Sequence, residues 1–127
     1  MNRRGTNDLE QRLAEIAEAS SDFIGISNVA GETVYVNRAG RAMIGIGQED
    51  DLTGQPISIY HSDEAARRVR DEQWPEVLKT GAVTFENTVR HRDGRDIPVS
   101  QLLMSHRGKN GALEYLSTVM RDISAQR

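Results

Sequence analysis

The last third of the chain contains three apolar, β-branched stretches separated by two tight-turn signals. The first signal is Arg92-Asp93-Gly94-Arg95, and the second is Lys109-Asn110-Gly111. Asp-Gly and Asn-Gly pairs tolerate the positive φ that two-residue hairpin turns require. The pattern therefore predicts three successive antiparallel strands at residues 83–90, 97–106 and 113–121.

The beginning of the chain predicts an amphipathic helix. Leu9, Leu13 and Ile16 are spaced by four and three residues, so they share one face of a helix that we expect to begin at Asn7 or Asp8. The apolar stripe is narrow, as in a coiled-coil seam, and such a stripe more often docks on a surface than enters a core. We therefore predict that Leu9, Leu13 and Ile16 form a dimerisation surface.

Between these two regions lie a short hairpin and several short helices. Residues 23–27 and 33–36 are apolar stretches joined by a Gly-containing turn, which predicts two more antiparallel strands. Asn37 and Ser62 stand where helix caps are expected, and Pro75 should kink or divide the second helix. The order of elements predicts an α+β fold with one antiparallel sheet and its helices on one face.

Composition excludes several kinds of chemistry. The 127 residues include no cysteine, which excludes disulfides and thiolate catalysis. A net charge of −3 argues against a general affinity for nucleic acid or anionic lipid. No apolar run approaches the ~20 residues that span a bilayer, and the amino terminus lacks the pattern of a signal peptide. We therefore expect a cytoplasmic protein without direct contact to membrane or nucleic acid.

Five short motifs resemble those of PAS domains, a family of sensory signalling modules. They are TVYVNRAG at 33–40, DLTGQP at 51–56, YHSDE at 60–64, RHRDGRDIPV at 90–99 and RDIS at 121–124. The motifs occur in the order found in the family and cover residues 16–124. The resemblance implies a five-stranded sheet in the order 2-1-5-4-3 around a cup of helices. It also implies a flanking dimerisation helix at 1–20, a PAS domain at 21–124 and the start of a linker to an output domain at 125–127.

The resemblance also suggests which residues line the cup. Side chains alternate across a strand, so matching the strand phase to flavin-binding relatives selects one set. The expected cavity residues are Met43, Phe85, Asn87, Gln101, Leu103, Leu116, Thr118 and Met120. Asn87, Gln101 and Thr118 would be polar groups in an apolar interior, where unpaired amides are costly. Either they hold a small ligand or ordered waters, or they pair with each other or with the backbone.

The other face of the sheet and its last residues carry two further expectations. Leu102, Met104, Tyr115 and Val119 make the outer face apolar as well, so we expect the leading helix or a second subunit to cover it. Asp122, in the motif that precedes the output linker of relatives, is expected at a signalling joint.

The resemblance leaves the cofactor open. Light-oxygen-voltage photochemistry needs a cysteine, so a covalent flavin adduct is excluded. Haem-binding relatives use a ligand on the long helix, and residues 65–79 contain no histidine, which argues against haem. The three histidines lack metal-ligand spacing, so no metal site is expected. Non-covalent flavin or a small apolar ligand remains open.

The sequence thus predicts a non-catalytic sensory module that binds a ligand or dimerises and relays a signal to an output domain. A histidine kinase is the expected output, with a cyclic-di-GMP enzyme as another kind of parent protein. A ligand-free dimerisation scaffold is the first alternative. A small cone-shaped α+β enzyme is the second, and it would need an ionisable group among the inward strand residues, where we expect none.

Overall fold

The computed structural model describes residues 3–126 of the chain. Its strands are β1 (Phe23–Asn28), β2 (Thr33–Val36), β3 (Ala82–Arg90), β4 (Asp96–Arg107) and β5 (Leu113–Asp122). Its α-helices are α1 (Arg3–Ala19), α2 (Arg38–Ile44), α3 (Asp63–Arg68) and α4 (Trp74–Thr80). A 3₁₀ turn (Ile57–Tyr60) precedes α3, a π-helical segment (Val69–Gln73) joins α3 to α4, and a second 3₁₀ turn (Ser124–Gln126) follows β5.

The five strands form one antiparallel sheet in the order β2-β1-β5-β4-β3, which confirms the predicted α+β fold and strand order. Strands β3, β4 and β5 follow one another through the two predicted turns, where Gly94 and Gly111 adopt φ values of +95° and +82°. β1 pairs with β5. The first and last strands are therefore neighbours, and both ends of the domain meet at the same part of the sheet.

Local signals set the helix boundaries. The side chain of Asn37 accepts a hydrogen bond from the backbone N–H of Gly40 at the start of α2, and Ser62 caps α3 in the same way. Pro75 has no N–H to donate, and its ring would crowd the carbonyl of Asp71 in a regular α-helix. The helix widens into the π-helical segment just before Pro75, which confirms the predicted division.

One predicted boundary is wrong. The backbone is already helical at Arg3, so α1 does not begin at Asn7 or Asp8. Asn and Asp are also tolerated inside the first turns of a helix, so a cap-type residue does not by itself fix the start. Residues 1, 2 and 127 of the predicted terminal segments lie outside the described residues. Within residues 3–126 no helix is both long and apolar enough to cross a membrane.

The core fills the space between the inward face of the sheet and the helices, which we call the cup. It consists of two clusters of buried side chains. The first contains Phe23, Val36, Ile44, Leu52, Tyr60, Val89, Val99 and Met120, and the second contains Val77, Leu103 and Leu116. Most of the cup is therefore occupied by the protein's own side chains.

Candidate functional site

The predicted cavity residues occupy two different environments in the cup. Those that border its interior cavity are Gln101, Leu103, Leu116, Thr118 and Met120. Met43 instead packs against the first core cluster, Phe85 packs against the second, and Asn87 is buried beside Gln101. The structure thus brings five of the eight predicted residues together at one cavity, and it places the other three in the packed core of the cup. Their role in binding a ligand stays a prediction.

The cavity itself is small. It has a volume of about 40 Å³ and lies over Gly25 of β1, which faces Thr118 of β5 across the sheet. A Cβ at Gly25 would come within 3.0 Å of Cε1 of Phe23, so the Phe23 ring occupies the space beside this glycine. A volume of this size admits a few water molecules, whereas sites for small organic ligands usually measure roughly 300–1,000 Å³. The cup in this conformation does not fit a flavin ring.

The buried polar residues form a continuous hydrogen-bonded chain. Asn87 Nδ2 donates to Gln101 Oε1 over 3.1 Å, and Gln101 Nε2 donates to Thr118 Oγ1 over 2.9 Å. The hydroxyl of Thr118 in turn donates to the carbonyl oxygen of Leu102 over 3.2 Å. Of the two alternatives for these side chains, the structure shows pairing with each other and with the backbone.

The polar chain begins at Arg68, at the end of α3. Its Nη2 donates to Asn87 Oδ1 over 3.1 Å, so a cationic group supports the buried amides. Arg68 Nε is the only fully buried side-chain nitrogen or oxygen without a hydrogen-bond partner among the described residues. The guanidinium therefore retains an unused donor at the boundary between α3 and the sheet.

Two residues that the sequence did not mark as site residues, His61 and Trp74, border this region. His61 Nδ1 lies 2.7 Å from the carbonyl oxygen of Thr88, so Nδ1 carries the proton of the neutral ring. Burial lowers the pKa of His61, although the Thr88 carbonyl opposes that shift. The signal that could have identified His61 is its place immediately before a helix cap, where a side chain can turn back toward the cup.

The two ends of the chain are tied together at the edge of the domain. The carboxylate of Asp22, just before β1, pairs with Arg121 at the end of β5 over 3.3 Å. Asp122 accepts hydrogen bonds from the backbone N–H and the hydroxyl of Ser124, which lower the pKa of Asp122. The structure thus places Asp122 as the cap of the turn that follows β5, and its signalling role stays a prediction.

The predicted dimerisation residues face solvent. Leu9, Leu13 and Ile16 are 58%, 55% and 66% exposed, so α1 does not bury its apolar stripe against the sheet. The hydroxyl of Tyr35 donates to the carboxylate of Glu18, which fixes the carboxyl end of α1 beside β2.

The outer face of the sheet also remains open to solvent. Leu102, Met104 and Val119 are half-buried, and Tyr115 is exposed. This face and the stripe on α1 give the domain two apolar surfaces without a partner among the described residues.

The sheet thus carries its helices over one face, and the leading helix is hydrogen-bonded to Tyr35 of β2 and to Asn37 at the start of α2. A sequence model described as the PAS fold matches residues 17–127, and the chain therefore belongs to the PAS-fold family. Domains of this family are generally sensory and non-catalytic. A search of the curated proteins found no match to this chain.

Solved structures of PAS domains superimpose on most of the chain. A PAS domain of a protein from Colwellia psychrerythraea has a TM-score of 0.84 and 21% identity, with 93% of this chain and 99% of that chain covered. A PAS domain from a two-component sensor histidine kinase has a TM-score of 0.72 and 16% identity, covering 91% and 98%. The PAS domain of an HTR-like protein from Haloarcula marismortui has a TM-score of 0.70 and 22% identity, covering 96% and 100%. At these identities the likeness concerns the fold.

Proposed function

We propose that this chain is a sensory module that forms a homodimer through α1 and relays a signal from the cup to an attached output domain. The observation that carries the proposal is the exposed stripe of Leu9, Leu13 and Ile16 on a helix that is hydrogen-bonded to Asn37, the cap of α2. An isolated domain gains nothing from presenting three large aliphatic side chains to water, whereas burial of such side chains stabilises a dimer.

A second copy of the chain fits this surface better than a polar partner. The stripe lies on the same domain as an apolar outer sheet face, where Tyr115 is 38% exposed. Stable interfaces bury about 800 Å² on each partner, which one narrow helix stripe alone does not supply. We therefore propose that the dimer uses α1 together with part of the outer face.

The relay is supported by the contacts between the cup and the chain ends. Thr118 and Met120 border the cavity from β5, and the same strand continues through Arg121, which pairs with Asp22. A change in the cup that displaces β5 would therefore act on the residues that connect to α1 and on the turn after Asp122. A histidine kinase as the output domain is consistent with the fold shared with a kinase PAS domain.

A ligand-free dimerisation scaffold is the second candidate, and two observations favour it. The cavity of about 40 Å³ is small, and Asn87, Gln101 and Thr118 already pair among themselves. Native mass spectrometry separates the two functions, because a small molecule that co-purifies with the protein supports sensing and contradicts the scaffold.

The dimer is tested by measuring the mass of the purified protein in solution by analytical ultracentrifugation over a range of concentrations. We expect a dimer for the natural sequence and a monomer for Leu13→Asp, because an aspartate in the stripe would have to be desolvated at the interface. Ile59→Asp is the matched control, since Ile59 is also exposed but lies on the 3₁₀ turn before α3. A strict monomer at high concentration, or a dimer that persists in Leu13→Asp, would contradict the proposal.

A further inference from the structure

A second, larger hollow opens on the outside of the helical wall. It has a volume of about 470 Å³ and lies between the β1–β2 turn, the 3₁₀ turn before α3, and the helical segment from α3 to α4. We call it the outer cleft. Its lining residues are Val29, Ala30, Gly31, Pro56, Ile57, Ser58, His61, Ala66, Val69, Arg70 and Trp74. Its volume lies within the roughly 300–1,000 Å³ of small-molecule sites, unlike that of the cup cavity.

The outer cleft and the cup cavity share one wall. Ile57, His61, Val69 and Trp74 border both spaces. Trp74 follows the π-helical segment, and its ring reaches toward the β1–β2 turn, where a side chain at Gly31 would come within 3.8 Å of the indole. Local π-helical geometry is rare in proteins and often marks a functional site. The indole therefore forms a planar apolar surface between the two spaces.

His61, which borders the cleft, carries a hydrogen-bond acceptor without a partner among the described residues. His61 Nδ1 is the donor to Thr88, so in the neutral ring Nε2 carries a lone pair, and no hydrogen bond within residues 3–126 uses it. Among the described residues, Arg68 Nε is the only fully buried side-chain nitrogen or oxygen without a hydrogen-bond partner. The unpaired Nε2 of His61 is therefore not fully buried, and His61 borders both the cup cavity and the outer cleft.

The electrostatics of the cleft favour an uncharged molecule. Arg70 is the only charged lining residue, and its guanidinium is paired with the carboxylate of Asp71 over 2.8 Å. The remaining surface is mostly aliphatic or aromatic, with the hydroxyl of Ser58 as a further polar group. An ionised ligand would find no unpaired counter-charge here.

We propose that the outer cleft binds a neutral aromatic molecule of one or two rings, which lies against Trp74 and donates one hydrogen bond to Nε2 of His61. The molecule is thus a phenol, a naphthol or a heteroaromatic with a ring N–H. The inference deepens the proposed sensory function, because a ligand that displaces Trp74 would act on the cluster of Val77, Leu103 and Leu116, against which Trp74 packs. Leu103 and Leu116 lie on β4 and β5, the strands that lead to the end of the domain.

The test uses 2-naphthol as the probe and 2-methoxynaphthalene, which has no donor, as the matched control ligand. Binding to the full chain is measured by calorimetry and by the indole N–H resonance of Trp74, the only tryptophan in the sequence. We expect saturable binding of 2-naphthol that shifts the indole resonance. We expect binding of the control ligand to be weaker by about five-fold, the value of one neutral hydrogen bond.

Three variants locate the site. Ala66→Phe fills the cleft from α3 and should weaken the binding of 2-naphthol by about ten-fold or more. Ala42→Phe, at an exposed helical alanine outside the cleft, should leave it unchanged. His61→Asn offers an amide N–H to Thr88 but has no Nε2, so it should bind the two ligands equally.

Some outcomes would overturn the inference. Absence of saturable binding by the natural sequence would do so even if the Phe variant failed to fold, and so would equal binding of the two ligands by the natural protein. If the natural protein is a dimer that dissociates in Leu13→Asp but it binds no 2-naphthol, the proposed function stands and this inference is wrong. If the natural protein is a strict monomer that binds 2-naphthol at the cleft, this inference stands and the proposed dimer is wrong.

Discussion

The side-chain amide nitrogen of Asn37 donates a hydrogen bond of 2.7 Å to the carbonyl oxygen of Ala17 in the last turn of α1. The same nitrogen donates to the carbonyl of Asp22, and Oδ1 accepts from the backbone N–H groups of Ile24 and Gly40. Asn37 is completely buried, so its own amide group has no water as an alternative partner. One side chain therefore connects the leading helix, the first strand and α2, which is the connection that a relay through α1 requires.

Replacement of Asn37 should weaken both the domain and this connection. We expect Asn37→Ala to lower the free energy of unfolding by about 2–4 kcal/mol, because it removes a helix cap and leaves buried backbone groups unpaired. Asn37→Asp keeps the two acceptor interactions but places a carboxylate against the carbonyls of Ala17 and Asp22. Urea denaturation measures the loss of stability. Of the two variants, only Asn37→Asp should retain the protection of the Ile24 and Gly40 amides against hydrogen exchange that the natural protein has. Equal stability of Asn37→Ala and the natural protein would contradict this account.

Gly40 should not tolerate a side chain. A Cβ at this position would lie 2.7 Å from Cγ1 of Val36 and 2.9 Å from Cδ2 of Phe23, both in the buried core. We expect Gly40→Ala to destabilise the domain by about 1–3 kcal/mol, although alanine favours helices, because overpacking forces the neighbours to shift. The exposed Gly47 has an ordinary φ and is the control, and Gly47→Ala should change the melting temperature little. A stabilised Gly40→Ala would show that the helix can move away.

The stability of the domain should depend on pH through His61. Burial lowers the pKa of His61 below the 6.5 of a free histidine, with a further lowering from Arg68 and opposing effects from Thr88 and Asp96. The unfolded chain therefore binds a proton more readily than the folded protein, so stability is complete above pH ~6.5 and falls as the pH drops below it. His61→Asn removes this titrating group, so from pH 7.5 to pH 5.5 the variant should lose less stability than the natural protein does. These two pH values lie roughly one unit on either side of the pKa of a free histidine. Urea denaturation at both pH values measures the difference, and parallel losses in the two proteins would contradict the assignment.

Asn87 and Gln101 should be energetically coupled. Asn87→Leu or Gln101→Leu alone leaves a buried amide group of the other residue unpaired, at a cost of about 1–3 kcal/mol. The double variant removes both amides together, so it should cost less than the sum of the two single losses by about 0.5–3 kcal/mol. Thr118 and Arg68 lose one partner each in the double variant, which limits the recovery. Strictly additive losses would show that the hydrogen bond between the two amides contributes nothing to stability.

Several features of the fold were accessible from the sequence because they depend on neighbouring residues. The turns at Gly94 and Gly111, the caps at Asn37 and Ser62 and the division of the helix at Pro75 each follow from backbone conformations that one or two residues favour. Alternation along a strand likewise assigns Gln101 and Leu103 of β4 to one face without knowledge of any other strand. The start of α1 was missed because Asn and Asp serve both as caps and as first-turn residues.

The contacts of the candidate site depend instead on how distant segments are aligned. Asn87, Gln101 and Thr118 lie on three strands, and only the register of β3, β4 and β5 makes each a diagonal neighbour of the next. Arg68 reaches Asn87 from a helix, and no periodic pattern indicates that approach.

The sequence by itself determined which segments become strands and helices, which residues of one strand share a face, and which family the order of motifs resembles. The tertiary structure alone decided that the cup is nearly full, that the lone pair of His61 stays unused, and that Trp74 separates the cup from an outer cleft. The physical reason is the distance along the chain over which each kind of interaction acts. Backbone preferences and alternation act over a few residues, whereas cavities and hydrogen-bonded chains form where packed side chains meet across the fold.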